Sequence, residues 1–232
     1  PFTGGTYFPP KEMQGRPSFI QVLKNVSKVY KENREKIINQ VEQMKLVFKE
    51  FNLKTAVIKQ DVEPLVEKIL QYMDEKNGGF KGAPKFPQLY IFDTIFYFYN
   101  KNKKNTFLDV VRKLLNNISS KGIYDHLGGG ISRYTVDEKW IVPHFEKMLY
   151  DNILFVRAVN NYLVNKQDKK LNDKLIQTIN FINNEFLNGK NLLGSAYDAD
   201  SEGIEGKYYV WSAEEIKGLL GKDIDIFKKK YL

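Results

Sequence analysis

Residues 88–118 read QLYIFDTIFYFYNKNKKNTFLDVVRKLLNNI, and this stretch decides the fold class. Its first part, about Gln88–Tyr99, is apolar on nearly every side, which predicts a helix that is buried on most faces. Its second part repeats apolar residues at helical spacing, namely Phe107, Leu108, Val111, Leu114, Leu115 and Ile118. Because only a short Lys/Asn turn joins them, the two helices are predicted to run antiparallel.

The same periodicity continues on both sides of this pair. It predicts helices over 62–73 (with Asp61 as N-cap), 143–163 and 171–186. A short further helix is expected to begin at Ser212, where Glu215 would complete a capping box. The chain is therefore predicted to be mainly α.

The links between the helices alternate in character. Short polar turns at 100–105 and 165–170 alternate with long glycine-rich segments at 78–87, 122–142 and 189–211. Antiparallel helices bring alternate links to the same end, so the long segments are predicted to meet at one rim. Loops on a rigid scaffold are where function concentrates, and we expect the site at this rim.

The amino-terminal part has a different pattern. Residues 3–8 are short, aromatic and β-prone, and Pro9-Pro10 ends them, which predicts one strand. Helical spacing follows in the stretches 19–30 and 37–51, and residues 52–60 are interpreted as a linker. A lone strand needs sheet partners, and the chain opens without Met, so we expect a fragment of a longer protein.

Composition excludes several functional classes. The 232 residues contain 42% hydrophobic residues and no cysteine, so disulfide and Cys-x-x-Cys chemistry are absent from this sequence. No stretch approaches the roughly 20 apolar residues of a membrane span, and we expect a cytoplasmic protein. The net charge of +8 comes from scattered lysines, which argues against a nucleic-acid interface. No zinc site or other cofactor is predicted.

The segment 122–142 contains DHLGGGISRY, from Asp125 to Tyr134. It is predicted to form a hairpin that pairs 131–134 with 139–142, and its glycines allow close approach to a ligand. No Lys-Ser/Thr follows the glycines, so it is not a phosphate loop. Its candidate site residues are Asp125, His126, Arg133, Tyr134 and Trp140.

The next segment, PHFEKMLYDN, begins the predicted helix at Pro143. His144 and Asp151 are seven residues apart, so a helix would place them on one face. They are either a pair that transfers a proton or a buried polar pair that fixes the hairpin. Glu146 is either a third carboxylate of the site or a residue favoured by the helix dipole.

Residues 198–203 read DADSEG and resemble the start of a calcium loop. Position twelve of that loop is Tyr209 rather than the bidentate Glu, which argues against calcium. Asp198, Asp200 and Glu202 are therefore interpreted as rim residues that bind hydroxyl groups, or as a solvated acidic turn.

Six motifs along the chain resemble the family of spermatogenesis-associated protein twenty and its bacterial relatives. They are GGTYFPP (4–10), GGFKGAPKFP (78–87), YDHLGGG (124–130), RY (133–134), VPHFEKMLYDN (142–152) and DADSEG (198–203). The resemblance implies a thioredoxin-like domain followed by an (α/α)6 toroid similar to N-acylglucosamine 2-epimerases and six-hairpin glycosidases.

On this resemblance, residues 1–52 would be the last strand and helix of the thioredoxin-like domain with a connecting helix. Residues 53–232 would be the first half of the toroid. The family's Cys-x-x-Cys segment would lie before Pro1, and the rest of the toroid after Leu232. We expect those missing parts of the same protein to be the partners of this chain.

Two functions from different classes remain open. The first is a carbohydrate-active or carbohydrate-binding toroid, resembling an epimerase or a glycosidase, with a sugar or other polar small molecule at the rim. Its rings would be Phe80, Tyr134, Trp140 and Trp211, and His144 or His126 would move a proton with Asp151 or Asp125. The second is a non-catalytic module whose toroid positions a thioredoxin-like domain on client proteins.

Overall fold

The structure is a computed structural model that describes residues 4–5, 7–13, 15–53 and 62–231. Its contacts divide the chain into two compact units, 1–61 and 62–232. The linker predicted at 52–60 lies mostly outside the described residues, so the boundary predicted between residues 52 and 53 stays a prediction. No helix in the described ranges is long and apolar enough to cross a membrane.

The described part of the first unit contains two helices, α1 (Phe19–Glu32) and α2 (Arg34–Leu53). A capping box between Ser18 and Gln21 starts α1. Of the strand predicted at 3–8, residues 4, 5, 7 and 8 are described, and they form no strand. The described part of this unit offers them no neighbouring strand, and an unpaired strand is not stable alone.

The second unit is a layer of paired helices with a shared core. Its helices are α3 (Glu63–Leu70), α4 (Leu89–Asn102), α5 (Asn105–Ser120), α6 (Leu149–Asn165), α7 (Lys169–Phe181), α8 (Ala213–Leu220) and α9 (Ile224–Tyr231). A π-helical turn, Ile182–Phe186, extends α7, and a 3-10 turn, Gly221–Asp223, precedes α9. Helix α4 packs on α5 and α6, and α7 packs on α5 and α6.

Sequence periodicity located most of these helices. Helix α4 buries six of its residues, as its apolar surface predicts, and α5 buries the six predicted from their spacing. The capping box of Ser212 and Glu215 is present at the start of α8. The predicted N-cap Asp61 lies outside the described residues.

The helix predicted from Pro143 begins six residues later, at Leu149. The backbone before it is extended, and β1 (Lys147–Met148) pairs antiparallel with β2 (Ala196–Tyr197). The side chain of Lys147 is buried in an ion pair, and this tertiary contact outweighs the local helical pattern. The helical face predicted to carry both His144 and Asp151 therefore does not exist.

The hairpin in 122–142 forms with a different register from the predicted one. Residues 133–136 lie against 142–146, with a backbone bridge between Thr135 and Pro143. The carboxylate of Asp137 accepts hydrogen bonds from three backbone N–H groups of the turn, at residues 139, 141 and 142. This cap stabilises a five-residue turn, which displaces the predicted pairing of 131–134 with 139–142.

A second small hairpin completes the rim. Strand β3 (Asp200–Ser201) pairs antiparallel with β4 (Ile204–Glu205). Glu202 and Gly203 form the turn, and both have positive φ angles. The acidic segment predicted as a rim loop is therefore a tight hairpin.

Candidate functional site

Helix α3 is followed by a turn, residues 73–80, that we call the first Asp turn. The carboxylate of Asp74 accepts hydrogen bonds from the backbone N–H groups of Lys76 and Asn77. The ammonium of Lys85 donates to the same carboxylate at 2.6 Å and to the carbonyl of Glu138 at 3.0 Å. This clasp ties the turn to the hairpin of the next long segment.

Trp140 covers the first Asp turn. Its side chain is fully buried, at 0% exposure, and its Nε1 donates to the carbonyl of Asn77 at 2.9 Å. The ammonium of Lys85 lies 5.0 Å from the centre of its ring. Trp140 therefore contacts protein on all sides, and the sugar-stacking role predicted for it is wrong.

Helix α5 is followed by the second Asp turn, residues 124–131, which has the same bonding pattern. The carboxylate of Asp125 accepts from the backbone N–H groups of Leu127 and Gly128. The ammonium of Lys147 donates to it at 2.7 Å and to the carbonyl of Gly129 at 2.9 Å. Asp125, predicted as a catalytic acid, is therefore held in an ion pair.

Electrostatics stabilise the charged forms of both carboxylates. Burial alone would raise the pKa of Asp125, but the hydrogen bonds and charge of Lys147 and the turn N–H groups lower it. The pKa of Asp74 is lowered against the effect of burial in the same way, by backbone N–H groups and Lys85. Burial lowers the pKa of Lys147, and Asp125 acts against that shift.

A cavity of about 440 Å³ opens beside the second Asp turn, and we call it the rim cavity. Its lining combines 122–142 with 189–211, two of the long segments predicted to meet. The aromatic side chains in the lining are Phe181, Tyr197, Tyr208 and Tyr209. The charged ones are Asp125, Lys147, Glu185, Asp198 and Asp200.

A second polar group, the Arg133 cluster, comprises Arg133, Glu146, Tyr150 and Asp151. The guanidinium of Arg133 donates to Glu146 at 3.0 Å, and the side chain of Tyr150 influences the pKa of both Arg133 and Asp151. The buried atoms Arg133 Nε and Asp151 Oδ2 have no hydrogen-bond partner among the described residues. Asp151 is only 7% exposed, and this burial raises its pKa to about 7.

His144 is separate from this cluster. Its ring stacks on Tyr134 at 4.6 Å, and its Nδ1 lies 2.8 Å from a carboxylate oxygen of Glu205 on β4. Tyr134 in turn packs against Phe86 at 4.6 Å. The pairing of His144 with Asp151 predicted from their spacing is wrong, and Glu205 is the partner that the sequence did not reveal.

His126 lies at the outside of the second Asp turn. Its Nε2 is 3.0 Å from the carbonyl of Lys121, and its Nδ1 is 3.3 Å from the ammonium of Lys174. Burial lowers the pKa of His126, and the charge of Lys174 adds to that shift. His126 is absent from the cavity lining, so it does not face Asp125 across a ligand.

The other predicted rings and acids divide between the cavity and the scaffold. Phe80 packs on the helical core, 6.3 Å from the ring of Phe92, and Trp211 is half-exposed outside the cavity lining. Glu202 forms an ion pair with Lys207 at the tip of the hairpin. Asp198 and Asp200 do line the cavity.

Among the described residues, no group of three His, Asp or Glu side chains could hold a metal ion.

Sequence reasoning missed all four aromatic residues of the lining. Tyr197 directly precedes the acidic motif, and Tyr208-Tyr209 follow it, so aromatic residues flanking acids were the available signal. Phe181 and Glu185 come from the end of α7 and its π-helical turn, which carry no motif. Lys147 was hidden inside a segment with a helical pattern.

Comparison with known proteins places the two units in context. A family model described as Thioredox_DsbH, protein of unknown function, DUF255, matches residues 1–49. Two solved sugar epimerases have similar folds at a TM-score of 0.50. An enzyme from a ruminal bacterium is 18% identical and covers 62% of this chain and 42% of its own. Cellobiose 2-epimerase from Spirochaeta thermophila is 16% identical and covers 60% of this chain and 41% of its own.

The fold of the chain is therefore mainly α, with half of an (α/α)6 toroid preceded by a thioredoxin-like segment. Human spermatogenesis-associated protein 20 is 29% identical over 241 residues, which are 97% of this chain and 31% of the relative. An uncharacterised Caenorhabditis elegans protein is 31% identical over 95% of this chain and 32% of its own length. The chain thus spans about a third of these curated relatives.

These relatives are animal proteins, so they give no support to a bacterial origin of the chain. Their similarity runs through both units and nearly the whole chain, and the fold agrees with the toroid that the motifs imply. The resemblance of the chain to the family of spermatogenesis-associated protein 20 is thus confirmed.

Proposed function

We propose that the rim cavity binds a sugar or a similar polyhydroxylated small molecule. The observation that carries this proposal is the lining itself, which joins four aromatic rings with several carboxylates in one cavity of about 440 Å³. Ligand pockets of roughly 300–1,000 Å³ with a few placed polar groups are typical of small-molecule sites. Two solved proteins of similar fold are sugar epimerases, which supports a sugar as the ligand.

The chemistry of the lining suits such a ligand. The C–H faces of a sugar ring are apolar and pack on aromatic faces, while its hydroxyl groups donate to carboxylates. Tyr208 is 77% exposed, which leaves its ring free to pack on a ligand. Asp198 and Asp200 lie beside it in the lining as hydrogen-bond acceptors.

For proton transfer we propose Asp151 and the pair of His144 with Glu205. A carboxyl with a pKa of about 7 exchanges its proton near neutral pH, and a carboxylate can orient a histidine as an acid or base. Neither group lines the rim cavity, so the proposal concerns binding first and a reaction second. An epimerase and a glycosidase remain equal alternatives for that reaction.

Titration by NMR or calorimetry of the chain with glucose, mannose and cellobiose tests the binding proposal. We expect saturable binding that Tyr208→Ala and Asp198→Asn each weaken by about tenfold, since each removes one ligand contact. Glu202→Gln is the matched control, because Glu202 is an acid of the same 198–203 segment as Asp198 and does not line the cavity. No saturable binding, or equal loss in the control, would refute the proposal.

A further inference from the structure

The rim cavity is acidic in a basic chain. Its lining holds four carboxylates, from Asp125, Glu185, Asp198 and Asp200, and one ammonium, from Lys147, which gives a formal charge of −3. The chain as a whole carries +8. A patch of opposite sign to the whole protein indicates a ligand chosen by charge.

The negative charge of the cavity is not neutralised by neighbouring cations. Lys147 is bound to Asp125, and among the described residues Glu185, Asp198 and Asp200 form no ion pair with Lys, Arg or His. Three basic side chains on the surrounding elements are occupied elsewhere, and Lys174 on α7 donates to Gln177. Lys207 pairs with Glu202, His144 with Glu205, and Arg133 with Glu146.

The aromatic walls already hold one ammonium group. The Nζ of Lys147 lies 4.4 Å from the ring centre of Phe181 and 4.9 Å from that of Tyr209. Both distances are within the range of a cation–π contact, so the electron-rich faces of this wall accept a positive charge. Tyr197 and Tyr208 extend the same wall beside the free carboxylates.

The pKa of Tyr209 agrees with a negative electrostatic potential in the cavity. Burial, together with the negative charges of Asp125 and Glu185 and the neighbouring tyrosines, raises the pKa of its hydroxyl to about 12. Burial disfavours a charge of either sign, but the part of this shift that comes from Asp125 and Glu185 has the sign that favours a cation.

We infer that the ligand of the rim cavity carries a positive charge, as an amino sugar or another hydroxylated aliphatic amine does. The inference rests on the proposed function and narrows its ligand class. The ammonium would lie against the tyrosine faces and the unpaired carboxylates, while the hydroxyl groups would bind the remaining acceptors. Sugar phosphates and sugar acids would be repelled by the like charge.

Competing ligands matched in size test this inference. The chain is titrated with glucosamine, N-acetylglucosamine, glucose and glucose 6-phosphate at low salt and about pH 6.5, where an aliphatic amine is protonated. We expect glucosamine to bind at least tenfold more tightly than its neutral N-acetyl form, and the phosphate to bind most weakly. Raising the salt concentration should reduce this preference, because salt screens charge.

The double variant Asp198→Asn, Asp200→Asn should remove most of the preference for glucosamine, and Glu202→Gln should leave it intact. A sugar-free diamine, 1,5-diaminopentane, is titrated alongside. If neutral sugars bind as tightly as glucosamine, the charge inference fails and the sugar proposal stands. If only the diamine binds, the sugar proposal fails and the charge inference stands. If nothing binds, both fail.

Discussion

The two Asp turns have the same construction but different surroundings. In each, a carboxylate caps the turn N–H groups and binds a buried lysine that also donates to a backbone carbonyl. The first turn is covered by a tryptophan with no exposed surface. The second is covered by Phe181 and Tyr209, which also line a cavity.

Each of the two Asp turns also contains a glycine that packs closely on a helix. A Cβ at Gly78 would lie 2.9 Å from the backbone nitrogen of Leu114 on α5, and one at Gly129 would lie 3.0 Å from the carbonyl of Gln177 on α7. Each turn thus packs its glycine backbone directly on the backbone of the next helix but one. The ion pair of each Asp turn is a structural feature of the fold, and a cavity forms beside the second turn, where the covering residues leave room.

The largest expected effect comes from removing each lysine. Lys85→Met leaves Asp74 buried without its cation and should cost about 3–5 kcal/mol of unfolding free energy. Lys147→Met should cost less, because Asp125 is more exposed, at 19% against 12%, and the cavity admits water. Urea unfolding measures both, and only Lys147→Met should alter ligand binding in the rim cavity.

Charge-neutral double variants sharpen this comparison. Adding Asp74→Asn to Lys85→Met, or Asp125→Asn to Lys147→Met, removes the unpaired charge and should recover part of the stability. A larger loss at Lys147 than at Lys85, or a change of ligand binding at Lys85 alone, would contradict the division into a structural turn and a site turn.

Local sequence signals predicted the helices well because capping and periodicity depend on nearby residues. Ser212 and Glu215 are three residues apart, and their capping box needs nothing else. Lys147 shows the limit, since its partner Asp125 lies 22 residues earlier and converts an apparent helix start into a strand. Trp140 shows a second limit. A tryptophan in a loop looks the same in the sequence whether its side chain is buried in the core or contacts a ligand.

The next largest expected effect on stability concerns Asp151. The Arg133 cluster, to which Asp151 belongs, has buried polar atoms without a hydrogen-bond partner, whereas the carboxylates of the two Asp turns are hydrogen-bonded. A folded pKa raised from 3.8 to about 7 means that the native state holds the proton more tightly than the unfolded chain. The stability from this group is therefore complete below about pH 4 and is lost as pH rises to about 7. Asp151→Asn removes that loss and should stabilise the chain at pH 8 by on the order of 2–4 kcal/mol.

Thermal unfolding of the Asp151→Asn variant at pH 4 and pH 8 checks this prediction. The gain should be present at pH 8 and nearly absent at pH 4. Asp109→Asn is the control, since Asp109 is an exposed carboxylate and its loss should matter little at either pH. A variant that is less stable at pH 8 would show that Asp151 is a bound carboxylate rather than a buried acid.

The smallest expected loss of unfolding free energy is that of His144→Gln. It distinguishes the partly exposed pair of His144 with Glu205 from the buried lysine pairs. The pair of His144 with Glu205 joins the two rim hairpins, but the side chains are 29% and 53% exposed, unlike the lysine pairs. An exposed pair contributes about 0.2–1 kcal/mol, so the loss on His144→Gln should stay near that range. A double-mutant cycle with Glu205→Gln measures the coupling, and binding of glucosamine in the rim cavity should not change, because His144 does not line it. If binding falls tenfold while stability is kept, His144 contacts the ligand, and the site extends from the cavity across the hairpin.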